Sequence, residues 1–348
     1  MTAAGSPTVG VVGRDVPIEV FDAVDVRVRR LDVPHPHDAS SWAAATEVLG
    51  TGIDPAATAV LAGILHGGAS GMAALVLCSD ADATQRLYYA LRELAQREPG
   101  RGLPPIHLVD VLHLPRASSL AYTAAEVERL SAAVSGWTGR TASPGEVTRA
   151  VRARGEVRRL LWLLADLRPE VSGADFSALR ARADELAPPE AAAELRSAIT
   201  AARGGSPVGG VRVALTGSSQ WGPAVIAQIE GAGVAVVADD CAGGALGLEL
   251  DAREPSSDGI AERAWRDGQS AQRGSAPERA AALAARAERA GARAIVSYVR
   301  RRDDAAMWEV GAIEAATDLP VLALHDQESG AIDLAALRDG LDRIGVTR

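Results

Sequence analysis

The sequence contains no lysine, so all 36 of its basic residues are arginines. The coding bias of a GC-rich genome is the simplest explanation of this composition. Aromatic residues make up only 3% of the chain, which leaves alanine, glycine, valine and leucine to build the core. Without lysine, the chain also cannot carry the phosphate-binding loop that ends in Gly-Lys-Ser/Thr.

Cysteine is almost as scarce, with Cys78 and Cys241 far apart in the sequence. Two such thiols cannot form a disulfide framework. No apolar run approaches the roughly 20 residues of a membrane span, and residues 1–5 lack the start of a secretion signal. The net charge of -9 argues against binding to nucleic acid or to an anionic membrane. We therefore predict a cytoplasmic protein that binds neither.

The length of 348 residues exceeds the size at which a single core stops growing, so more than one domain is expected. Apolar residues account for 47% and charged residues for 23%, as in globular proteins. A glycine-rich segment at 204–210 indicates a linker. We predict an N-terminal α/β lobe (1–117), a helical insert (118–204) and a C-terminal α/β lobe (205–348).

Short apolar runs alternate with helical patterns in both predicted lobes, which is typical of parallel sheets built from βαβ units. The fold class predicted is therefore α/β, with two Rossmann-like lobes. The predicted strands cover residues 8–13, 26–31, 73–78, 105–111, 211–216, 234–238, 294–299 and 321–324. Ser/Thr-x-x-Glu patterns at Thr123, Ser143 and Ser275 predict three helix starts. The polar segment 253–274 is expected to be irregular in part.

The strand predicted at 234–238 runs into Asp239, Asp240 and Cys241. Ligands of open α/β sheets sit at such carboxyl ends. Cys241 has three interpretations: a buried core residue, a metal ligand or a nucleophile. The two neighbouring carboxylates disfavour a nucleophile because they would raise the pKa of the thiol. Either aspartate could cap the following turn, or one could act as a general base.

Two further loops follow predicted strands. Residues 216–223 place Ser218, Ser219 and Gln220 before a helix, where backbone amides can bind an anion. An ordinary strand-to-helix turn is the alternative. The arginines at 300–302 form either a solvated face or an anion contact at a strand end.

Several segments in this order resemble one family, the subunits of 2-hydroxyacyl-CoA dehydratases and benzoyl-CoA reductases. The matching segments lie at 15–21, 28–31, 79–88, 121–130, 136–139, 215–218 and 239–243. The resemblance implies a two-lobed subunit that pairs with a related chain. It also implies a [4Fe–4S] cluster held by three cysteines in a cleft between the lobes. An ATP-dependent activator would supply the electron for a radical elimination or reduction on an acyl-CoA.

The sequence departs from this family at the cluster cysteines. Ala81 and Arg302 occupy two of the three positions, and only Cys241 is kept. Cys78 precedes the first position by three residues. Biological clusters of this kind are held chiefly by cysteine thiolates, and an arginine would bring a fixed positive charge to the iron. We therefore predict no cluster in the isolated chain and a [4Fe–4S] cluster in a cysteine-complete partner subunit.

The leading hypothesis is a substrate-holding or structural subunit of such a lyase or reductase complex, degenerate at its iron–sulfur site. A cluster-free binding or regulatory protein and a metal-free enzyme are the alternatives. The candidate catalytic residues are Asp240 and Ser218, and Cys241 is a metal ligand only if a cluster is present. The candidate substrate-binding residues are Ser79, Arg86, Ser219, Gln220 and Arg302. The strand ends that carry Ser79, Ser218, Asp240 and Arg302 are expected to converge.

Overall fold

A computed structural model describes residues 6–32, 37–219, 222–248, 254–268, 270 and 274–346. Strands and helices alternate along most of the chain. In chain order they are β1 (Thr8–Val12), α1 (Glu19–Asp22), β2 (Arg27–Arg30), α2 (Ala39–Leu49), α3 (Pro55–Gly63), β3 (Ala74–Cys78), α4 (Asp82–Arg97), β4 (Ile106–Val109), α5 (Ala117–Thr138), α6 (Pro144–Asp166), α7 (Gly173–Glu185), α8 (Pro188–Arg203), β5 (Val211–Gly217), α9 (Ala224–Glu230), β6 (Val234–Asp239), α10 (Ser257–Asp267), α11 (Ala276–Arg289), β7 (Ala294–Arg300), α12 (Asp304–Ala316), β8 (Val321–Gln327) and α13 (Leu334–Arg343).

The described residues fall into two compact units. The first unit comprises those within Met1–Arg158, Ala183–Ala192 and Leu250–Arg273. The second unit comprises those within Arg159–Arg182, Ala193–Glu249 and Gly274–Arg348. The three-segment division inferred from the sequence stays a prediction.

The first unit is built on a four-stranded sheet in the order β2-β1-β3-β4, with every neighbouring pair parallel. Strand β3 is buried along its whole length, as expected of a central strand covered on both faces. Strand β2 alternates exposed and buried residues, because it lies at the sheet edge. Val9 and Val11 of β1 belong to the core of this unit.

The second unit repeats this topology, with a parallel sheet in the order β6-β5-β7-β8. Successive side chains of a strand point to opposite faces. Val213 and Leu215 accordingly pack into one core cluster, whereas Ala214 between them packs into another. The predicted α/β fold with two Rossmann-like lobes is confirmed.

Two of the three predicted helix starts are confirmed. Ser275 and Glu278 form a complete capping box at α11, and Ser143 and Glu146 exchange reciprocal hydrogen bonds at the start of α6. The prediction at Thr123 is wrong, because α5 begins six residues earlier and buries Thr123 inside the helix. A Ser/Thr-x-x-Glu pattern also occurs within helices, so the pattern alone does not locate a helix start. It marks a start only where the residues before it are not already helical.

The polar segment 253–274 is helical over part of its described residues. Helix α10 covers Ser257–Asp267, and the Ser256 side chain caps it by accepting a hydrogen bond from the Gly259 amide. Its buried residues include Ile260, Ala261 and Ala264, which join the core of the first unit. No helix within the described ranges has the length and apolar character needed to cross a membrane.

Candidate functional site

Most of the candidate residues lie at the carboxyl ends of the strands. In the second unit, Asp239 is the last residue of β6 and organises the loop that follows. This side chain is 1% exposed. Its Oδ1 accepts hydrogen bonds from the amides of Cys241 (3.1 Å) and Ala245 (2.8 Å). Its Oδ2 accepts one from Nη1 of Arg168. Asp239 therefore caps the turn that follows β6, and the guanidinium of Arg168 balances its charge.

Two arginines from distant parts of the chain complete this end of β6. Arg168 is also 1% exposed, and its guanidinium stacks over the ring of Phe176 at 4.7 Å. Arg286 of α11 donates from Nη1 to the backbone carbonyl of Asp239 at 2.7 Å. No local pattern predicts this network, because Arg168 lies 71 residues before Asp239.

Asp240 is the second carboxyl group of this loop and is partly buried. Burial raises the pKa of Asp240, and the adjacent Asp239 adds to this effect. A hydrogen bond with the Thr216 side chain and the charges of Arg279 and Arg286 act in the opposite direction. A carboxyl group with a raised pKa can exchange a proton, which is what a general acid or base requires.

Cys241 lies at the same loop but is 1% exposed and belongs to the core of the second unit. Its Sγ lies 3.9 Å from the carbonyl oxygen of Leu215. Burial raises the pKa of the Cys241 thiol well above its usual range, with further contributions from Asp239 and Asp240. The thiol is therefore protonated at neutral pH, which disfavours a nucleophile.

Ser218 lies where the chain order of the second sheet reverses, between β5 and β7. Its amide donates to the carbonyl of Tyr298 at 2.8 Å, and its Oγ accepts from the amide of Arg300 at 2.9 Å. Nη1 of Arg300 donates to the carbonyl of Ser219 at 2.5 Å. These bonds fix both serines at the switch point of the sheet, where ligands of α/β folds bind. Ser218 itself is 1% exposed, and Gln220 lies outside the described residues.

Arg302 follows β7 in a turn and has an exposed side chain. Its φ of 67° is in the left-handed region, which a non-glycine residue seldom adopts. The amide of Arg301 donates to the carbonyl of Gln327, which fastens the turn to β8. The guanidinium of Arg302 is therefore presented to solvent from a fixed backbone position.

Ser79 and Arg86 belong to the first unit. Ser79 follows β3, and its hydroxyl donates to Oδ1 of Asp110 after β4. The hydroxyl of Tyr122 donates to the other oxygen of the same carboxylate at 2.9 Å. The Oγ of Ser79 therefore retains lone pairs that can accept a hydrogen bond from a ligand. Arg86 is exposed on α4, in the helix that opens after this loop.

The switch point of the first sheet, between β1 and β3, holds a group that sequence reasoning missed. The amide of Arg14 donates to Oδ2 of Asp80 at 2.6 Å, and that of Asp15 points to Sγ of Cys78 at 3.4 Å. Burial raises the pKa of Asp80 to about 6, and the charge of Asp15 contributes. Gly13 makes this approach possible, because a Cβ there would overlap Cys78 Sγ.

A buried histidine is paired with this group. Nε2 of His113 lies 2.8 Å from Oδ2 of Asp15, and Nδ1 lies 2.9 Å from the carbonyl oxygen of Trp265. A carbonyl only accepts hydrogen bonds, so Nδ1 carries a proton and a second proton lies between Nε2 and Asp15. Ser270 donates from Oγ to the same carboxylate at 2.6 Å. These residues are too distant in sequence to form a recognisable motif.

The structure thus places Ser218, Ser219, Asp240, Cys241 and Arg302 in the second unit, and Ser79 and Arg86 in the first. Asp240 and Ser218 follow neighbouring strands of one sheet. Their convergence with Ser79 stays a prediction.

The available donors do not fit a [4Fe–4S] cluster. Within the residues that the structure describes, no group of three or more His, Cys, Asp or Glu side chains is placed to hold a metal ion. The two cysteines belong to different units, and both are buried. Burial raises the pKa of both thiols well above the usual range, whereas a ligand must be a thiolate.

Comparison with known proteins gives one assignment. No curated protein matches the chain. The family model described as 2-hydroxyglutaryl-CoA dehydratase, D-component, matches residues 15–337, which include every strand except β1 and all the candidate residues of the sequence analysis. The chain therefore belongs to the 2-hydroxyglutaryl-CoA dehydratase D-component family.

Proposed function

We propose that this chain is a cluster-free subunit of a 2-hydroxyacyl-CoA dehydratase or benzoyl-CoA reductase type complex. It holds substrate or completes the structure beside a homologous, cysteine-complete subunit. The family belongs to an iron–sulfur-dependent dehydratase system and normally works with a partner component. This pairing supports a complex in which the partner subunit carries the [4Fe–4S] cluster and an ATP-dependent activator supplies the electron.

The observation that carries the proposal is the state of the three positions where the family resemblance places cluster cysteines. Ala81 has no ligand atom and lies exposed at the start of α4. Arg302 is exposed and carries a positive charge. The thiol of Cys241 is buried in the core and protonated. Family membership over residues 15–337 with this donor set supports a retained fold and a lost metal site.

The remaining candidate residues fit substrate handling. Asp240 has a raised pKa, and we assign it the exchange of a proton with the substrate. We assign Ser218 a hydrogen bond that positions the reacting group. Ser79, Ser219 and Gln220 are assigned polar contacts with substrate. Arg86 and Arg302 are exposed cations suited to the phosphates of an acyl-CoA.

Co-purification tests the division of labour. The tagged full chain is isolated anaerobically from its native host, and the companions are identified by mass spectrometry. Iron and sulfide are then measured in the complex and in the chain purified alone. We expect a cysteine-complete homologue in the complex, iron that follows this homologue, and near-zero iron in the isolated chain after reconstitution.

A Cys241→Ala variant is the matched control for the iron measurement, and we expect it to leave the iron content of the complex unchanged. A stable homodimer with no cysteine-rich companion would contradict the proposal. Near four irons in the isolated chain, lost in Cys241→Ala, would do the same and would restore Cys241 as a ligand.

One observation favours a second candidate function. Asp240 and Ser218 lie on neighbouring strand ends of one sheet, and Asp240 has a raised pKa. This arrangement would serve a metal-free enzyme that uses acid–base chemistry alone. A cluster-free binding or regulatory protein remains the other alternative, in which the same residues only recognise a ligand.

A further inference from the structure

The second unit contains a cavity at the opposite edge of its sheet, where the strands begin. Its volume is about 790 Å³, which falls within the range of small-molecule pockets. Five glycines form much of its wall: Gly209, Gly210, Gly231, Gly233 and Gly291. Neither the proposed function nor the family assignment accounts for this cavity.

Two arginines line the cavity side by side. Arg212 is the second residue of β5, and Arg293 immediately precedes β7. The amide of Arg293 donates to the carbonyl of Arg212 at 2.8 Å, which sets the two residues next to each other on neighbouring strands. Arg212 is partly buried and Arg293 is exposed, and each carries a fixed positive charge at the cavity.

Neither guanidinium has a hydrogen-bond or ion-pair partner in the described part of the chain. The carboxylate that lines the cavity, Glu230, is already engaged elsewhere. Its Oε1 accepts from the amides of Gly173 (2.7 Å) and Val236 (3.2 Å), and its Oε2 accepts from that of Ala174 (3.1 Å). Among the described residues the cavity lining therefore has two guanidiniums without an ion-pair partner and one carboxylate bound to backbone amides, which leaves it net positive in a protein whose net charge is -9.

The glycines keep this space open. A Cβ on Gly210 would lie 2.8 Å from the carbonyl oxygen of Gly233, and one on Gly291 would lie 3.4 Å from Nη1 of Arg212. The φ values of Gly210 (116°) and Gly291 (67°) are in the left-handed region that favours glycine. A larger residue at either place would crowd the wall or the guanidinium.

We propose that this cavity binds a phosphate-bearing small molecule through Arg212 and Arg293. Paired guanidiniums match the oxygens of a phosphate group and form charge-assisted hydrogen bonds with them. The cavity exceeds the size of a phosphate, so it has room for an organic part that packs against the glycine wall. The site is independent of the carboxyl-edge residues to which substrate handling is assigned.

Isothermal titration of the full chain with inorganic pyrophosphate at constant ionic strength tests the proposal. The charge-removing variant is Arg212→Gln/Arg293→Gln, and the matched control is Arg338→Gln, an exposed arginine of α13 outside the cavity. We expect saturable binding that weakens at least about tenfold in the double variant, because charge-assisted hydrogen bonds are lost. The control variant should bind as the unmodified chain does.

Circular dichroism and thermal unfolding establish that the double variant is folded. Equal binding by the double variant and the unmodified chain would overturn the proposal, as would no saturable binding of pyrophosphate. Succinate provides the second arm, since it carries two carboxylates without phosphate. Binding of succinate alone would also overturn a phosphate site. If the double variant unfolds, Gly291→Leu provides a second route, because we expect it to block binding by filling the cavity.

Discussion

At the scale of single residues, the environment of Asp80 illustrates how burial sets chemistry in this protein. The side chain lies beside Asp15 at the switch point of the first sheet, and its Oδ1 has no hydrogen-bond partner within the described structure. Removal from water disfavours the charged form, and the neighbouring carboxylate adds repulsion. The result is a pKa of about 6, well above the ordinary 3.8.

This shift predicts a pH dependence of stability. The folded state binds the Asp80 proton more tightly than the unfolded state, so stability falls as pH rises from about 4 to above 6. Asp80→Asn keeps a neutral side chain and an acceptor for the Arg14 amide. The free energy of unfolding of the unmodified chain should therefore fall relative to that of Asp80→Asn as pH rises. We expect this difference to change by on the order of 3 kcal/mol between pH 4 and pH 7.

Chemical denaturation across this pH range measures the difference. The control is Asp318→Asn, which changes an exposed carboxyl group in the second unit. A constant difference between Asp80→Asn and the unmodified chain over the whole range would show that Asp80 does not titrate in this window.

At the scale of secondary-structure elements, the contact between β5 and β7 depends on a glycine. Gly217 ends β5 with a φ of 103°, and a Cβ there would overlap the carbonyl of Tyr298. The next amide, that of Ser218, donates to this same carbonyl. The close approach of the two strands therefore places Ser218 and Arg300 where they hydrogen-bond.

We accordingly expect Gly217→Ala to destabilise the protein by about 1–3 kcal/mol, through backbone strain and the clash with Tyr298. Urea unfolding followed by circular dichroism measures this cost. Gly311→Ala is the matched control, because Gly311 lies in α12 with open space around it. That variant should be stabilised by about 0.5–1 kcal/mol, since alanine favours a helix interior. Equal effects at the two glycines would refute the role given to Gly217.

At the scale of the whole molecule, the proposed substrate-holding role predicts binding of acyl-CoA esters. A ligand at about 100 times its Kd adds roughly 2.7 kcal/mol to the stability of the folded state. We expect 2-hydroxyacyl-CoA esters to raise the Tm of the full chain and Arg302→Gln to reduce this rise. Arg338→Gln, an exposed arginine on another helix, should leave it unchanged.

The Tm measurement also separates the proposed roles. No rise in Tm with any CoA ester would exclude substrate holding and leave a structural role in the complex. A rise abolished by Arg212→Gln/Arg293→Gln, but not by Arg302→Gln, would move acyl-CoA recognition to the cavity at the amino edge. Pyrophosphate binding can fail without affecting this result, so the two proposals are tested separately.

The sequence by itself determined the fold class. Strands of a parallel sheet are buried on both faces, so they appear as short apolar runs such as residues 74–78 and 234–238 that local patterns reveal. It also determined the family, because segments such as 15–21 and 239–243 keep their order along the chain. The Ser/Thr-x-x-Glu pattern gave a wrong helix start at Thr123, which lies inside α5, because the same pattern occurs both at helix starts and within helices.

Only the tertiary structure decided the chemistry of the strand ends. Asp239 and Asp240 are adjacent and identical in sequence, yet Asp239 caps a turn and pairs with Arg168, whereas Asp240 has a raised pKa. The same holds for His113 and Asp15, which meet across 98 residues. Charge, burial and hydrogen bonding depend on which distant residues the fold brings within a few ångströms, and no local pattern encodes that information.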